Sequence, residues 1–414
     1  RRRSPRLSPV SRRAVLLLCA FAAMACERAA VPLPKPSALK PPATAAAKAA
    51  PALPNLLDLG RGATVVSRTG ENNLERSAVH AIDGLGATSW SSPPGGANQT
   101  LVYALAAPAH IERLGVVLGS ETNQQPATLR FELSADGTTW RDALFMKPTG
   151  TGGENITPTV AQYVRISTGE TRRYYATVTM FEANGRFEAP PAPRSLDGCW
   201  TLNFSPARLR QQNARVTGTI GGRRTTILDG GTDGVVTRFM WMRGPMWGHA
   251  IATVSPDGRA FSALTFHEEP RTQHAGEAWL GERATECAGA AAGTPDAFLQ
   301  RTRHWSMFGL VFDGRDALDP GRSKETLDTA AALIARSPSQ KFRVVAHDFR
   351  SGDAAENLRR SEARASAVGR ALVARGVDTA RIELGATGST RQDAEIGSDV
   401  QRLLWTRVDL ELLR

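Results

Sequence analysis

The chain has 414 residues, enough for about two to four domains, and with 41% apolar and 22% charged residues it can bury cores and is not globally disordered. Its formal charge is +11, but Arg1, Arg2, Arg3, Arg6, Arg12 and Arg13 all precede residue 26, where no acid occurs, so 11 − 6 = +5 remains from Cys26 onward. A nucleic-acid partner thereby loses its main electrostatic support.

The first apolar run, residues 14–25, holds 12 residues, too few for a spanning helix, which needs roughly 20. A basic start, this short run and small residues before Cys26 predict a secretory leader over 1–25. Ala23-Met24-Ala25-Cys26 resembles a lipobox, which implies acylation of Cys26 and a lipid-anchored N-terminus; cleavage that leaves Cys26 free is the alternative. Residues 26–58 are rich in Ala and Pro, carry Lys35, Lys40 and Lys48, and have no aromatics, so they predict a tether.

Residues 59–187 show short β-rich runs at 101–105, 114–118, 129–133 and 163–166 with a turn at Ala135-Asp136-Gly137-Thr138, and predict a β-sandwich. Pro190-Pro191-Ala192-Pro193 marks a linker over 188–195. Residues 196–290 are again β-patterned and fit a closed or nearly closed antiparallel barrel. Cys199 and Cys287 lie at its two ends, and in an oxidising compartment they predict a disulfide. After a linker over 291–302, the pattern alternates over 303–414. Strands are predicted at 308–312, 342–346, 381–384 and 407–412, with helical faces at Leu327, Ala330, Ala331, Ile334 and at Leu358, Ala365, Val368, Leu372, an α/β sandwich of βαβαβ type.

Asn357-x-x-Arg360-Ser361-x-x-Arg364-Ala365-x-x-Val368-x-x-x-Leu372 resembles the signature of the OmpA-like peptidoglycan-binding domain, and Phe312-x5-Leu318 and Ala346-His347 match upstream. The resemblance implies a clamp in which an Asp takes the ammonium and an Arg the carboxylate of a diaminopimelate residue, a sound division of labour for a zwitterion. Arg364 matches the family arginine. The family acid falls on Phe349, with Asp348 one residue early and so on the opposite face of a regular strand unless a bulge intervenes. The peptidoglycan set is therefore Asp348, Asn357, Arg364 and Arg407, with Trp405-Thr406-Arg407-Val408 a degraded form of the closing family element.

Ala81-Ile82-Asp83-Gly84 with Thr88-x-Trp90, Ser134-x-Asp136-Gly137-x-x-Trp140, Tyr163-Val164-Arg165-Ile166 and Phe181-Glu182-Ala183-Asn184-Gly185 resemble the discoidin, or coagulation-factor type C (F5/8 type C), galactose-binding-like domain. That resemblance implies a glycan, phospholipid or protein ligand at the loops of one end, and a structural calcium held by Asp83, Thr88 and Glu182. Trp90 and Trp140 are expected in the core.

No enzyme motif emerges. His267-Glu268-Glu269-Pro270 lacks the second His of a zinc helix, and no G-x-S-x-G elbow or Walker loop occurs. The expectation is a non-enzymatic, periplasm-facing lipoprotein of the outer membrane that grips peptidoglycan, has no cofactor beyond that calcium, and presents a glycan- or protein-binding sandwich. The alternative is an adhesin or carbohydrate-binding protein whose OmpA-like domain has lost its wall ligand.

Overall fold

Alternating strands build the first half of the molecule. The computed structural model describes residues 53–119, 124–171, 174–222, 224–267, 275–287, 294–350, 353–389 and 398–413; the leader, Cys26 and most of the expected tether lie outside them. The sandwich comprises β1 (Thr64–Arg68), β2 (Trp90–Ser91), β3 (Thr100–Val117), β4 (Leu129–Ser134), β5 (Arg141–Met146), β6 (Gly152–Thr168), β7 (Thr177–Val178) and β8 (Met180–Phe187). Its main sheet runs β1-β3-β6-β4-β5 with β8 also on β3, and β2 pairs with β7.

The two strands expected at 101–105 and 114–118 are one long strand, β3. Its register against β6 breaks between Ala104 and Ala109, a stretch that contains Pro108, whose missing N–H suits an interrupted ladder. Trp90, Tyr103, Phe131 and Phe181 are fully buried, whereas Trp140 is half-buried beneath the Arg165 guanidinium, 4.4 Å away. The expected tether ends sooner than Asp58. Asn55 bridges to Asn184, and Leu56 and Leu57 are buried, because apolar side chains beside the β8 edge gain more from burial than from solvation.

The second unit is a closed barrel of β9 (Gly198–Leu202), β10 (Pro206–Gln212), β11 (Arg215–Ile220), β12 (Thr226–Thr232), β13 (Val236–Arg243), β14 (Met246–Val254), β15 (Ala260–His267) and β16 (Ala275–Ala284), closing β16 onto β9 and β9 onto β10. Trp200, Val216, Phe239, Trp241, Phe261 and Trp279 share one interior cluster, so the barrel is packed with side chains. Cys199 and Cys287 are bonded, their Cα atoms 5.4 Å apart, across a separation of 88 residues. Replacing both by Ala is expected to cost about 2–5 kcal/mol in urea unfolding. A loss below about 1 kcal/mol would show that barrel closure makes the crosslink redundant.

The third unit contains α1 (Pro295–Thr302), β17 (His304–Ser306), α2 (Lys324–Arg336), β18 (Phe342–His347), α3 (Ala354–Val373), β19 (Ile382–Gly388), α4 (Asp399–Trp405) and β20 (Arg407–Leu412), with sheet order β17-β20-β18-β19. It is an α/β sandwich, as expected, with β18 and β19 parallel. Three local readings change. The linker expected over 291–302 contains α1, marked by Pro295 at its start, Asp296 in its first turn and buried Phe298 and Leu299. The strand expected at 308–312 is a turn, because Phe308 and Leu310 are buried against the barrel and leave only the Phe312–Leu318 bridge. Leu358 is 39% exposed, and Asn357 and Ser361 occupy the buried face of α3 instead.

The linkers do not separate the units. One apolar cluster includes Leu105 and Ile111 of the sandwich, Met240 and Leu264 on the outside of the barrel, and Trp305 and Leu327 of the third unit. Polar contacts repeat the pattern. Thr64 Oγ1 donates to Thr253 Oγ1 at 3.0 Å, Trp305 Nε1 to Asp229 Oδ1 at 2.9 Å, and Arg194 Nη1 to Val254 O at 3.2 Å. The described residues, which all lie within 52–414, thus form a single compact body. No helix among the described residues is long and apolar enough to cross a membrane.

Candidate functional site

Helix α3 begins where the Asp353 carboxylate accepts from the N–H groups of Ala355 and Glu356, at 2.8 and 3.2 Å. From there Asn357, Ser361, Arg364, Ala365, Val368 and Leu372 fall on its buried face. Arg364 is thereby aimed at the end of β18, only 6% exposed, with its guanidinium 4.8 Å from the centre of the Phe312 ring. Its Nε donates to Asp316 Oδ1 at 2.9 Å, and Nη1 lies 3.6 Å from Asp348 Oδ2.

Asp348 follows directly on the end of β18, where the partner strand slips. Ala346 pairs with Ala386 but His347 with Gly388, leaving Thr387 as an extra residue in β19, while β18 keeps its register with β20 through the pairing of His347 with Arg407. Gly388 sits at φ +53°, where a Cβ would come 2.9 Å from Leu358 N, so the slip needs glycine there. Phe349, at the position of the family acid, is buried, and its N–H donates to Thr406 Oγ1 at 3.1 Å.

The acid pair is already occupied. Arg350 Nε donates to Asp348 Oδ2 at 2.9 Å, and its Nη2 pairs with Asp316 as well. Arg360 Nη1 stands 3.9 Å from Asp316 Oδ2, so three guanidiniums surround two carboxylates. Burial lowers the pKa of Arg364, and the neighbouring Arg350 adds to that, while Asp348 and Asp316 oppose it.

Arg364 and Arg350 open onto a cavity of about 500 Å³ that all three units line, within the range of small-ligand sites. The sandwich contributes Gly60 and Arg61, the barrel Asp233 and Arg238, and α4 Asp399 and Arg402. Arg407 also reaches it, buried, stacked 4.7 Å over Trp405 and paired with Asp409 at 3.0 Å. That stacking gives Trp405 a role in holding Arg407. Of the four residues expected to hold peptidoglycan, Arg364 and Arg407 line the cavity, Asp348 backs Arg364, and Asn357 lies beneath in α3, its backbone oxygen accepting from Ser361 Oγ at 2.8 Å. Sequence reasoning missed Asp316, Arg350 and Arg238. Asp316 leaves one trace, the Asp313-Gly314-Arg315-Asp316 turn between Phe312 and Leu318, where it adopts φ +64°.

Behind the cavity, Ser306 Oγ donates to Asp409 Oδ1 at 2.6 Å and lies 3.0 Å from His249 Nε2. The hydroxyl proton goes to the carboxylate, so His249 donates to the serine and does not act as its base; Ser306 is also fully buried. The trio is a structural link between barrel and sheet.

In the sandwich, Asp83 is fully buried and accepts from Thr88 Oγ1 at 2.7 Å and Leu85 N at 2.8 Å. Glu182 pairs with Arg113 at 2.8 Å. A guanidinium already meets the carboxylate that would close a calcium site, and among the described residues no three His, Cys, Asp or Glu converge on a point. As placed, Asp83 and Thr88 bond each other and Glu182 bonds Arg113, contacts that a calcium ion on these three residues would replace. Tyr174, 59% exposed, packs edge-on to Tyr175 with ring centres 4.8 Å apart, an aromatic surface on this unit.

The OmpA family model matches residues 313–402, and the F5/8 type C domain model residues 63–181. Both describe binding modules rather than catalytic domains. Among solved structures, the C-terminal domain of a chitobiase from Bacteroides fragilis aligns at 20% identity over 30% of this chain and 93% of its own, with TM-score 0.27. CBM32-3 from a family 31 glycoside hydrolase of Clostridium perfringens aligns at 16% identity over 31% and 93%, with TM-score 0.28. The family 32 carbohydrate-binding module of Streptococcus pneumoniae EndoD aligns at 15% identity over 31% and 98%, with TM-score 0.28. No curated protein matches the chain.

Proposed function

We propose that the chain is a lipid-anchored protein of the cell envelope, held through Cys26 in the outer membrane and facing the periplasm, which grips peptidoglycan non-covalently at the three-unit cavity. The observation that carries this reading is Arg364. It matches the arginine of the OmpA-like signature, and here it stands at the wall of a 500 Å³ cavity, steered by two carboxylates toward a ligand carboxylate. The ammonium of the same zwitterion would take the place of Arg350, whose side chain is 32% exposed. Exchanging one cation for another on the same acid pair gains little Coulomb energy, so the grip is weak and gains strength from the second attachment at the membrane. The sandwich would present a separate carbohydrate-binding surface; the F5/8 type C match and the exposed Tyr174 support that role.

Purified sacculi test the wall contact. The mature chain is the right material, because a 303–414 fragment would expose Trp305, Phe308 and Leu310, all buried against the barrel. Wild type is expected to sediment with sacculi, and Arg364→Ala to lose retention by about tenfold or more, since a charged hydrogen bond contributes about 1.5–3 kcal/mol. An unretained wild type would favour the second reading, an adhesin or carbohydrate-binding protein whose working part is the sandwich. The occupancy of Asp316 and Asp348 by Arg350 favours that reading, because a self-neutralised clamp needs no ligand.

A further inference from the structure

Strand alternation puts Arg238 on the outer face of β13, between Val236 and Met240 of the shared core, while Phe239 and Trp241 fill the barrel. There it joins the cavity wall. Its Nη1 donates to Leu403 O and Thr406 O, each at 3.0 Å, and Phe308 lies under the guanidinium at 5.1 Å. One corner of the fork is thus held rigidly; the remaining nitrogens make no hydrogen bond to a described residue.

The charge around it is unbalanced. Arg61 and Arg402 share Asp399, Arg350 and Arg364 share Asp316 and Asp348, and Arg407 has Asp409. Among the described residues, no carboxylate forms an ion pair with Arg238. Burial is the main influence lowering its pKa; Asp233 acts in the opposite sense, and the charges of Arg364 and Arg407 lower it further. A fixed, partly desolvated cation facing two more is unfavourable until an anion enters between them. An arginine held in that way is prepared for a carboxylate before the ligand arrives.

We propose that Arg238 is a ligand-binding residue of this cavity and receives a second carboxylate of the stem peptide while Arg364 receives the first. The inference rests on the peptidoglycan reading above and sharpens it: the ligand is a peptide head with two carboxylates, and the barrel is part of the wall-binding site. The zwitterionic end of diaminopimelate carries the carboxylate that lysine lacks, so that group reports on Arg364, and Arg238 is left to a carboxylate that both peptides keep.

Calorimetry on the mature chain uses two synthetic tripeptides, L-alanyl-γ-D-glutamyl-meso-diaminopimelate and its L-lysine analogue. Wild type is expected to bind the diaminopimelate peptide about tenfold or more tightly than the lysine peptide. Arg364→Ala should lose that preference, whereas Arg238→Gln should weaken both peptides by about tenfold while keeping it. If Arg238→Gln binds both peptides as tightly as wild type while Arg364→Ala loses the preference, the role of Arg238 is overturned and the cavity reading stands. If wild type binds neither peptide, the cavity reading falls and this inference with it. Should Arg238→Gln fail to fold, Arg238→Lys serves instead: a partial loss of affinity for both peptides supports the proposal, and wild-type affinity overturns it.

Discussion

Asp409→Ala is expected to destabilise the protein by about 3–5 kcal/mol, the largest single effect foreseen outside the apolar core. Asp409 is 4% exposed and accepts from Arg407 Nε at 3.0 and 3.1 Å and from Ser306 Oγ at 2.6 Å, while His347 Nε2 lies 3.2 Å away. Removing the carboxylate takes from the Arg407 guanidinium, itself 4% exposed, the ion pair that it makes with Asp409. Burial draws the Asp409 pKa upward, but Arg407 and then His347 outweigh it and hold the carboxyl well below its ordinary range. A depressed carboxyl stabilises the fold above its unfolded pKa, and that contribution is lost as pH falls through the lower folded value. Acid unfolding of the variant should therefore begin from a lower plateau with a smaller pH dependence below about pH 4. Urea unfolding at neutral pH supplies the magnitude; a loss below about 1 kcal/mol would mean that Arg407 finds another partner or reaches water.

Asp58→Asn should have the opposite sign at alkaline pH. Asp58 is 8% exposed at the contact between sandwich and α4, where Gly60 would have a Cβ only 2.8 Å from Val400 N. Burial, reinforced by the Asp399 carboxylate, pushes its pKa up to about 7, against the pull of the Gly60 N–H, Arg61 and Arg402. The folded state then holds its proton more tightly than the unfolded chain. The stabilisation is complete below the unfolded value near 3.8 and is lost as pH rises through about 7. Between those limits the loss amounts to roughly 4 kcal/mol at one pKa unit per 1.36 kcal/mol. The amide oxygen of the substituted side chain can still accept from Gly60 N, which lies 2.7 Å from Asp58 Oδ1, so the turn survives the substitution. Unfolding at pH 5.5 and pH 8 should show wild type losing stability across the interval and Asp58→Asn losing much less. Equal slopes for the two proteins would show that Asp58 is ionised throughout.

The contact that Asp58 makes with α4 had no sequence signal, and the same divide runs through the whole molecule. The face of α3 was readable: Arg364, Ala365, Val368 and Leu372 recur at helical spacing, and all are buried. Cys199 and Cys287 were readable because two cysteines remain once the leader and Cys26 are set aside. Asp348 was legible as a candidate but not as a contact, since its approach to Arg364 is set where the chain leaves β18 after His347, beyond the regular alternation of the strand. Asp316, 48 residues from Arg364, and Arg238, 165 residues from Leu403, had no signal tied to their partners. β13 did carry a hint: Phe239 and Trp241 on one face, Met240 and Met242 on the other, a pattern that needs cover on both sides.

Turns, helix faces and cysteine parity depend on residues a few positions apart, so the order of residues alone was enough to establish a sandwich, a barrel and an α/β unit in series. Whether those units hang as separate beads or share a core depends on matching surfaces far apart in the chain, which no local period encodes. The ligand cavity exists only in the shared arrangement, because its arginines come from three units and acquire their charge balance and burial from one another.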